Sequence, residues 1–68
     1  MTIKELCAGL TPHIRSRIVN CLHEQHVDTI DDLREFLNGE PVSVLDGWAP
    51  GMGRKCIRVL DQLVGARL

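Results

Sequence analysis

Pro50-Gly51-Met52-Gly53-Arg54-Lys55 is the segment whose residue types best fit a chemical task. Glycines admit positive φ and let a ligand reach the backbone without meeting a Cβ. A helix starting directly after them has first-turn N–H groups with no internal partner and the positive end of its macrodipole. An anion, phosphate above all, is favoured at such a place. Arg54 and Lys55 add two full charges there, and the apolar Met52 can pin the turn to a core. The competing reading is a plain interhelical turn with incidental surface cations.

Other chemistries find less support. No Gly-x-x-x-x-Gly-Lys-Ser/Thr nucleotide loop and no Rossmann fingerprint is present in the sequence. Ser16 and Ser43 lack a local nucleophile motif, and a core this small leaves little room for a substrate cleft. The expectation is therefore a protein that is not an enzyme and needs no cofactor. Cys7, Cys21 and Cys56 are odd in number and irregular in spacing, which argues against a disulfide framework and for reduced, part-buried thiols. There is no Cys-x-x-Cys pair, so no metal site is expected. His23 and His26, three apart, could share a helix face and hold an ion weakly, but solvated surface histidines are the plainer reading.

The formal net charge of −1 alone predicts no affinity for nucleic acid, but its distribution is uneven. From Thr11 to His23 the charges are Arg15 and Arg17; from Gly51 to Leu60 they are Arg54, Lys55 and Arg58. From Glu24 to Asp46, seven acids (Glu24, Asp28, Asp31, Asp32, Glu35, Glu40 and Asp46) face Arg34 alone. If folding joins the two basic segments, one positive face results despite the net charge; a solvated mixed surface is the alternative.

The elements that must position these residues are helical. The 68 residues allow one domain, 1–68, with one small core. Thr2 with Glu5 forms a capping box, predicting a helix over about Ile3 to Ala8 that Gly9 ends. Thr11 caps a second helix with Pro12 at its first position; Ile14, Ile18, Cys21 and Leu22 form its apolar stripe, and it ends near Glu24 to His26. Thr29 and Asp32 repeat the capping pattern before Ile30, Leu33, Phe36 and Leu37, and Asn38-Gly39 stops that helix. A short fourth helix starts near Pro41 or Val42, although the valines also suit a strand. A last helix runs from about Arg54 to Val64 with Ile57, Leu60, Leu63 and Val64 inward. The expected core is Leu6, Leu10, Ile14, Ile18, Leu22, Val27, Ile30, Leu33, Leu37, Leu45, Ile57, Leu60 and Leu63. Trp48 either covers one end of this core or is an exposed partner-binding anchor. No apolar run is long enough to span a bilayer and no secretory signal is visible, so a cytoplasmic protein is expected.

Three stretches together resemble a known family: Ile14 to Leu22, containing Arg17-x-x-Asn20-Cys21-Leu22; Val27 to Leu33; and Pro50 to Ile57. They are similar to the C-terminal domain of the bacterial RNA polymerase alpha subunit, over roughly residues 10 to 66. The resemblance implies an all-α fold, a compact bundle of four to five short helices with a C-terminal helix-hairpin-helix-like element. It implies binding to double-stranded DNA in the A·T-rich minor groove, in transcription or its regulation. The family's groove-entering arginine falls on Arg17, with its companions on Asn20 and Cys21. Its hairpin and backbone contacts fall on Gly53, Lys55 and Cys56, beside Gly51 and Arg54. The chain departs from the family where Cys56 replaces a serine, where Val59 replaces an acid, and in a longer stretch from Asn38 to Ala49. Starting at Met1 with its own capped helix, it reads as a free-standing relative. The alternative is a protein-interaction module on the same fold, using Asp31, Asp32, Glu35 and Trp48 to bind RNA polymerase, a transcription regulator or a second copy of itself.

Overall fold

Two capping boxes organise the first half of the chain. The computed structural model describes the backbone of residues 1–48 and 52–67 and the side chains of residues 1–46 and 52–65. Thr2 Oγ1 accepts the Glu5 N–H at 3.0 Å while Glu5 Oε1 accepts the Thr2 N–H at 2.9 Å, starting α1 (Ile3–Leu6). Thr29 Oγ1 accepts the Asp32 N–H at 3.0 Å, and Asp32 Oδ2 accepts the N–H groups of Thr29 and Asp28 at 3.2 Å, starting α3 (Ile30–Leu37). The two caps are also tied to each other. Thr2 and Thr29 form an isolated antiparallel bridge, in which Ile3 donates to the Asp28 carbonyl at 2.8 Å and Ile30 to the Met1 carbonyl at 3.1 Å.

Between them lies α2 (Pro12–Glu24). Thr11 occupies its N-cap position with extended backbone, but its hydroxyl makes no capping bond. The helix closes on a Schellman motif. Val27 N–H reaches the Leu22 carbonyl at 2.8 Å and His26 N–H the His23 carbonyl at 2.9 Å, with His26 at φ 62 in the place a glycine usually fills. Leu22 and Val27, both buried, supply the apolar contact that accompanies the motif. His23 and His26 accordingly do not share a helix face.

The second half is built on α5 (Gly53–Arg67), which packs against α2, against a single 3₁₀ turn (Val42–Val44) and against α4 (Leu45–Trp48). The chain is all-α; among the described residues the bridge is the sole β feature. None of the described helices is long and apolar enough to cross a membrane. Compared with expectation, α1 stops two residues early and α5 runs three further. Val42 belongs to a 3₁₀ turn and not to a strand, since no partner strand lies beside it.

The core holds nine of the expected residues: Leu6, Ile18, Leu22, Val27, Leu33, Leu37, Leu45, Ile57 and Leu60. Leu10, Ile14, Ile30 and Leu63 pack at its edge, half-buried. Ile3, Cys7, Val42, Met52 and Cys56, absent from the expected core, are buried, as is the inward-facing Val64. No side chain with a polar or charged group is buried among the described residues.

Stability should therefore pass through a maximum with pH. The Glu5 carboxyl is held below its usual 4.5 by the backbone N–H of Thr2, and that of Asp32 below 3.8 chiefly by the N–H of Asp28. Their contribution is complete above those usual values and is lost as pH falls through the lower folded ones. His23 is held above its usual 6.5 by its hydrogen bond to Asp28, 2.7 Å from Nδ1 to Oδ1, and by that carboxylate's charge. Its contribution is complete below 6.5 and is lost as pH rises through the raised folded value. Thermal melts across pH should show both limbs. Thr29→Ala should cost about 1 kcal/mol at neutral pH, and Asp32→Asn should flatten the acid limb.

Candidate nucleic-acid interface

The exposed side of α2 carries Arg17 and Asn20, three residues apart and both solvent-accessible. At 100° per residue they sit about 60° apart around the helix, so both can address one ligand. Cys21, half-buried, lies one turn beyond Arg17 and within electrostatic reach of both Arg17 and Cys56. Cys21 and Cys56 thus mark the seam where α2 meets the first turn of α5. The seam carries the Arg17 side of α2 to the place where α5 begins.

At that beginning Gly53 has φ +83, the left-handed backbone that an L side chain resists. A Cβ added there would meet nothing within 4 Å, so the requirement for glycine is conformational and not steric. Met52 before it is fully buried, anchoring the turn to the core. Gly53, Arg54 and Lys55 are all exposed. Gly51 lies outside the described residues, as does the side chain of Trp48.

The cations of α5 divide into two sets. Arg54 and Arg58 line a groove with Ser43, Asp46, Ile57 and Asp61, where two carboxylates moderate their charge. Lys55 points about 100° away from Arg54, on the side toward Cys56, which lies near Cys21 of α2. It is the cation at this helix start that best complements Arg17. Cys56 is different from the residue it replaces by resemblance. It is 5% exposed and packs in the core, so its thiol offers no surface to a phosphate. Cys21 is likewise mainly a seam residue.

The acidic candidates separate as well. Asp32 is committed to the α3 cap through both backbone bonds. Asp31 and Glu35 are exposed, and Asp31 lies 4.0 Å from Arg34. Among the described residues no group of three His, Cys, Asp or Glu side chains is arranged to hold a metal ion. Lys4 was not singled out by residue pattern, yet it stands beside this surface. The shifted ionisable groups are cap acids, a surface histidine and two thiols, Cys7 and Cys21, both raised mainly by burial.

Two measurements check this arrangement. Gly53→Ala should destabilise the domain by about 1–2 kcal/mol through backbone strain alone, and Gly53→Asn should cost less, because asparagine tolerates the left-handed region. In the native protein a thiol reagent should modify Cys21 first and slowly, since its thiol is held mainly protonated at neutral pH. Cys7 and Cys56 should react only on unfolding, as mass spectrometry of timed samples would record.

No known protein family, characterised protein or solved structure matches the chain.

Proposed function

We propose that this chain is a non-enzymatic DNA-binding domain of the RNA polymerase alpha C-terminal type, acting in the cytoplasm in transcription or its regulation. The observation that carries the reading is the meeting of α2 and α5: exposed Arg17 and Asn20 stand beside a helix start at which Gly53 takes positive φ and Lys55 is exposed. Arg17 is the groove reader. A guanidinium suits the narrow, strongly negative minor groove of A·T tracts. Asn20 adds a donor and an acceptor for base edges on the same face. Lys55 and the first-turn amides of α5 hold a backbone phosphate and set the register, contributing affinity but no sequence information.

Charge placement supports this more than the net charge of −1 opposes it. Glu5 and Asp32 are spent on helix caps and Asp28 on His23. The ionisable groups with shifted behaviour all have structural causes, consistent with a binding role and not a catalytic one.

The test is a titration of isotope-labelled protein with an A·T-rich duplex at low salt, following amide shifts. Shifts at Arg17, Asn20 and Gly53 are expected. Arg17→Ala should weaken binding by about 1–3 kcal/mol and reduce the preference for A·T-rich over G·C-rich duplex. Lys55→Ala should weaken all duplexes alike and reduce the slope of log affinity against log salt by about 1. Absence of binding to any duplex at low salt sinks the proposal. Shifts confined to Asp31, Glu35 and their neighbours on addition of a protein partner would put an interaction module in its place.

A further inference from the structure

We infer that Lys4, Arg15, Ser16 and Asn20 form a second phosphate site, which holds the backbone on the opposite wall of the groove that Arg17 enters. The inference rests on the DNA-binding reading above and extends it to a surface that the α2–α5 seam does not include.

The site is an open cleft of about 230 Å³ between α1 and α2, lined by Lys4, Arg15, Ser16, Val19 and Asn20. Two cations, a hydroxyl and a carboxamide converge there, and no carboxylate lines it. Two of the acids around it are already committed; a third, exposed Glu24, lies one turn beyond Asn20 on α2. Glu5 is bonded to the Thr2 N–H, and Asp28, in the adjoining groove beyond Lys4, holds His23 at 2.7 Å. Among the described residues neither Lys4 nor Arg15 has a carboxylate within 4.0 Å. Arg15 is half-buried and close enough to α1 for its charge to act on the buried Cys7 thiol. A guanidinium held in this way loses little freedom when it binds, and its fork suits phosphate oxygens.

Position gives the cleft its meaning. Around α2, at 100° per residue, the order is Arg15, Val19, Ser16, Asn20, Arg17, Cys21, spanning about 240°. Arg17 therefore stands between two cationic surfaces. Cys21 and the start of α5, with Lys55, lie on one side of it; the cleft lies on the other, with Asn20 as the shared border. A minor groove is about 6 Å wide and walled by a phosphate strand on each side. The α5 start offers a cation to one wall and the cleft to the other. Ser16 precedes Asn20 by about 6 Å along the helix axis, a distance that covers about two steps of a DNA strand at 3.4 Å each.

The experiment compares duplex affinity across salt for the wild type, Lys4→Gln, Lys4→Gln/Arg15→Gln and the control Arg34→Gln, whose charge lies on α3. Each cleft cation removed should weaken binding about three- to tenfold and lower the salt slope by about 1, with the A·T preference unchanged. Arg34→Gln should leave the slope as it is. Circular dichroism checks folding; Lys4 is exposed, so the single variant decides the matter if the double variant unfolds. An unchanged slope in Lys4→Gln, with wild-type binding intact, overturns this inference and leaves the DNA-binding reading standing. Failure of the wild type to bind any duplex overturns both. In a parallel arm, inorganic phosphate at matched ionic strength replaces the duplex. Saturable shifts at Ser16 and Asn20 with inorganic phosphate, matching those with duplex, would mark a small-anion site and also overturn it.

Discussion

The pairing of the two helix starts is the constraint on which the rest depends. A helix of four residues has no independent stability in water, because nucleation costs more than one turn returns. α1 exists because its cap is closed by Glu5 and because Ile3 and Ile30 exchange backbone hydrogen bonds with Asp28 and Met1 across the Thr2–Thr29 bridge. That stitch lays Ile3, Leu6 and Cys7 into the core beneath α2. It also fixes Lys4 over the side of α2 that carries Arg15 and Asn20. One short piece of backbone pairing thus serves both the core and the surface.

The parts legible in the sequence are those decided locally. Thr2 with Glu5 and Thr29 with Asp32 make their caps within four residues, so the pattern and the bonds agree. Leu22, Leu33 and Leu60 recur at helical spacing and are fully buried. The less legible parts depend on distant neighbours. Met52 is buried as its place between two glycines suggests, whereas the full burial of Cys56 follows from α5 lying across α2 and α4, which no local pattern announces. Cys56 stands next to two cations and resembles a surface serine, yet its side chain points inward. The end of α2 falls at Glu24, within the expected range, but the form of its turn was less legible. The left-handed turn occurs without glycine, and the readable signal was the apolar pair Leu22 and Val27 at the spacing of a Schellman contact.

The candidate surface follows the same division. Arg17 and Asn20 share a face by helix geometry alone, and Gly53 before two cations suggests its own conformation. Lys4 joins the surface through packing between α1 and α2, eleven residues from Arg15, and no spacing rule relates the two. The burial of Cys56 removes one contact that resemblance suggested, and the separation of Lys55 from Arg54 and Arg58 ranks the remaining ones.

A net charge of −1 says little about a domain in which the two signs do different work. Glu5 and Asp32 hold helix starts, Asp28 holds His23, and Asp31 sits near Arg34. Among the described side chains Arg34 is the one lysine or arginine with a carboxylate within 4.0 Å. Four of the nine acids are thus engaged by structure, while Glu24, Glu35, Glu40, Asp46 and Asp61, like Lys4, Arg17 and Lys55, are exposed. Screening keeps the effect of each charge local. The domain measures 28 × 23 × 20 Å, and exposed charges decouple beyond about 8 Å at physiological salt. A polyanion approaching Arg17 therefore responds mainly to the charges nearest it, exposed Glu24 on the same side of α2 among them. Local placement, and not the formal sum, sets what this face can bind.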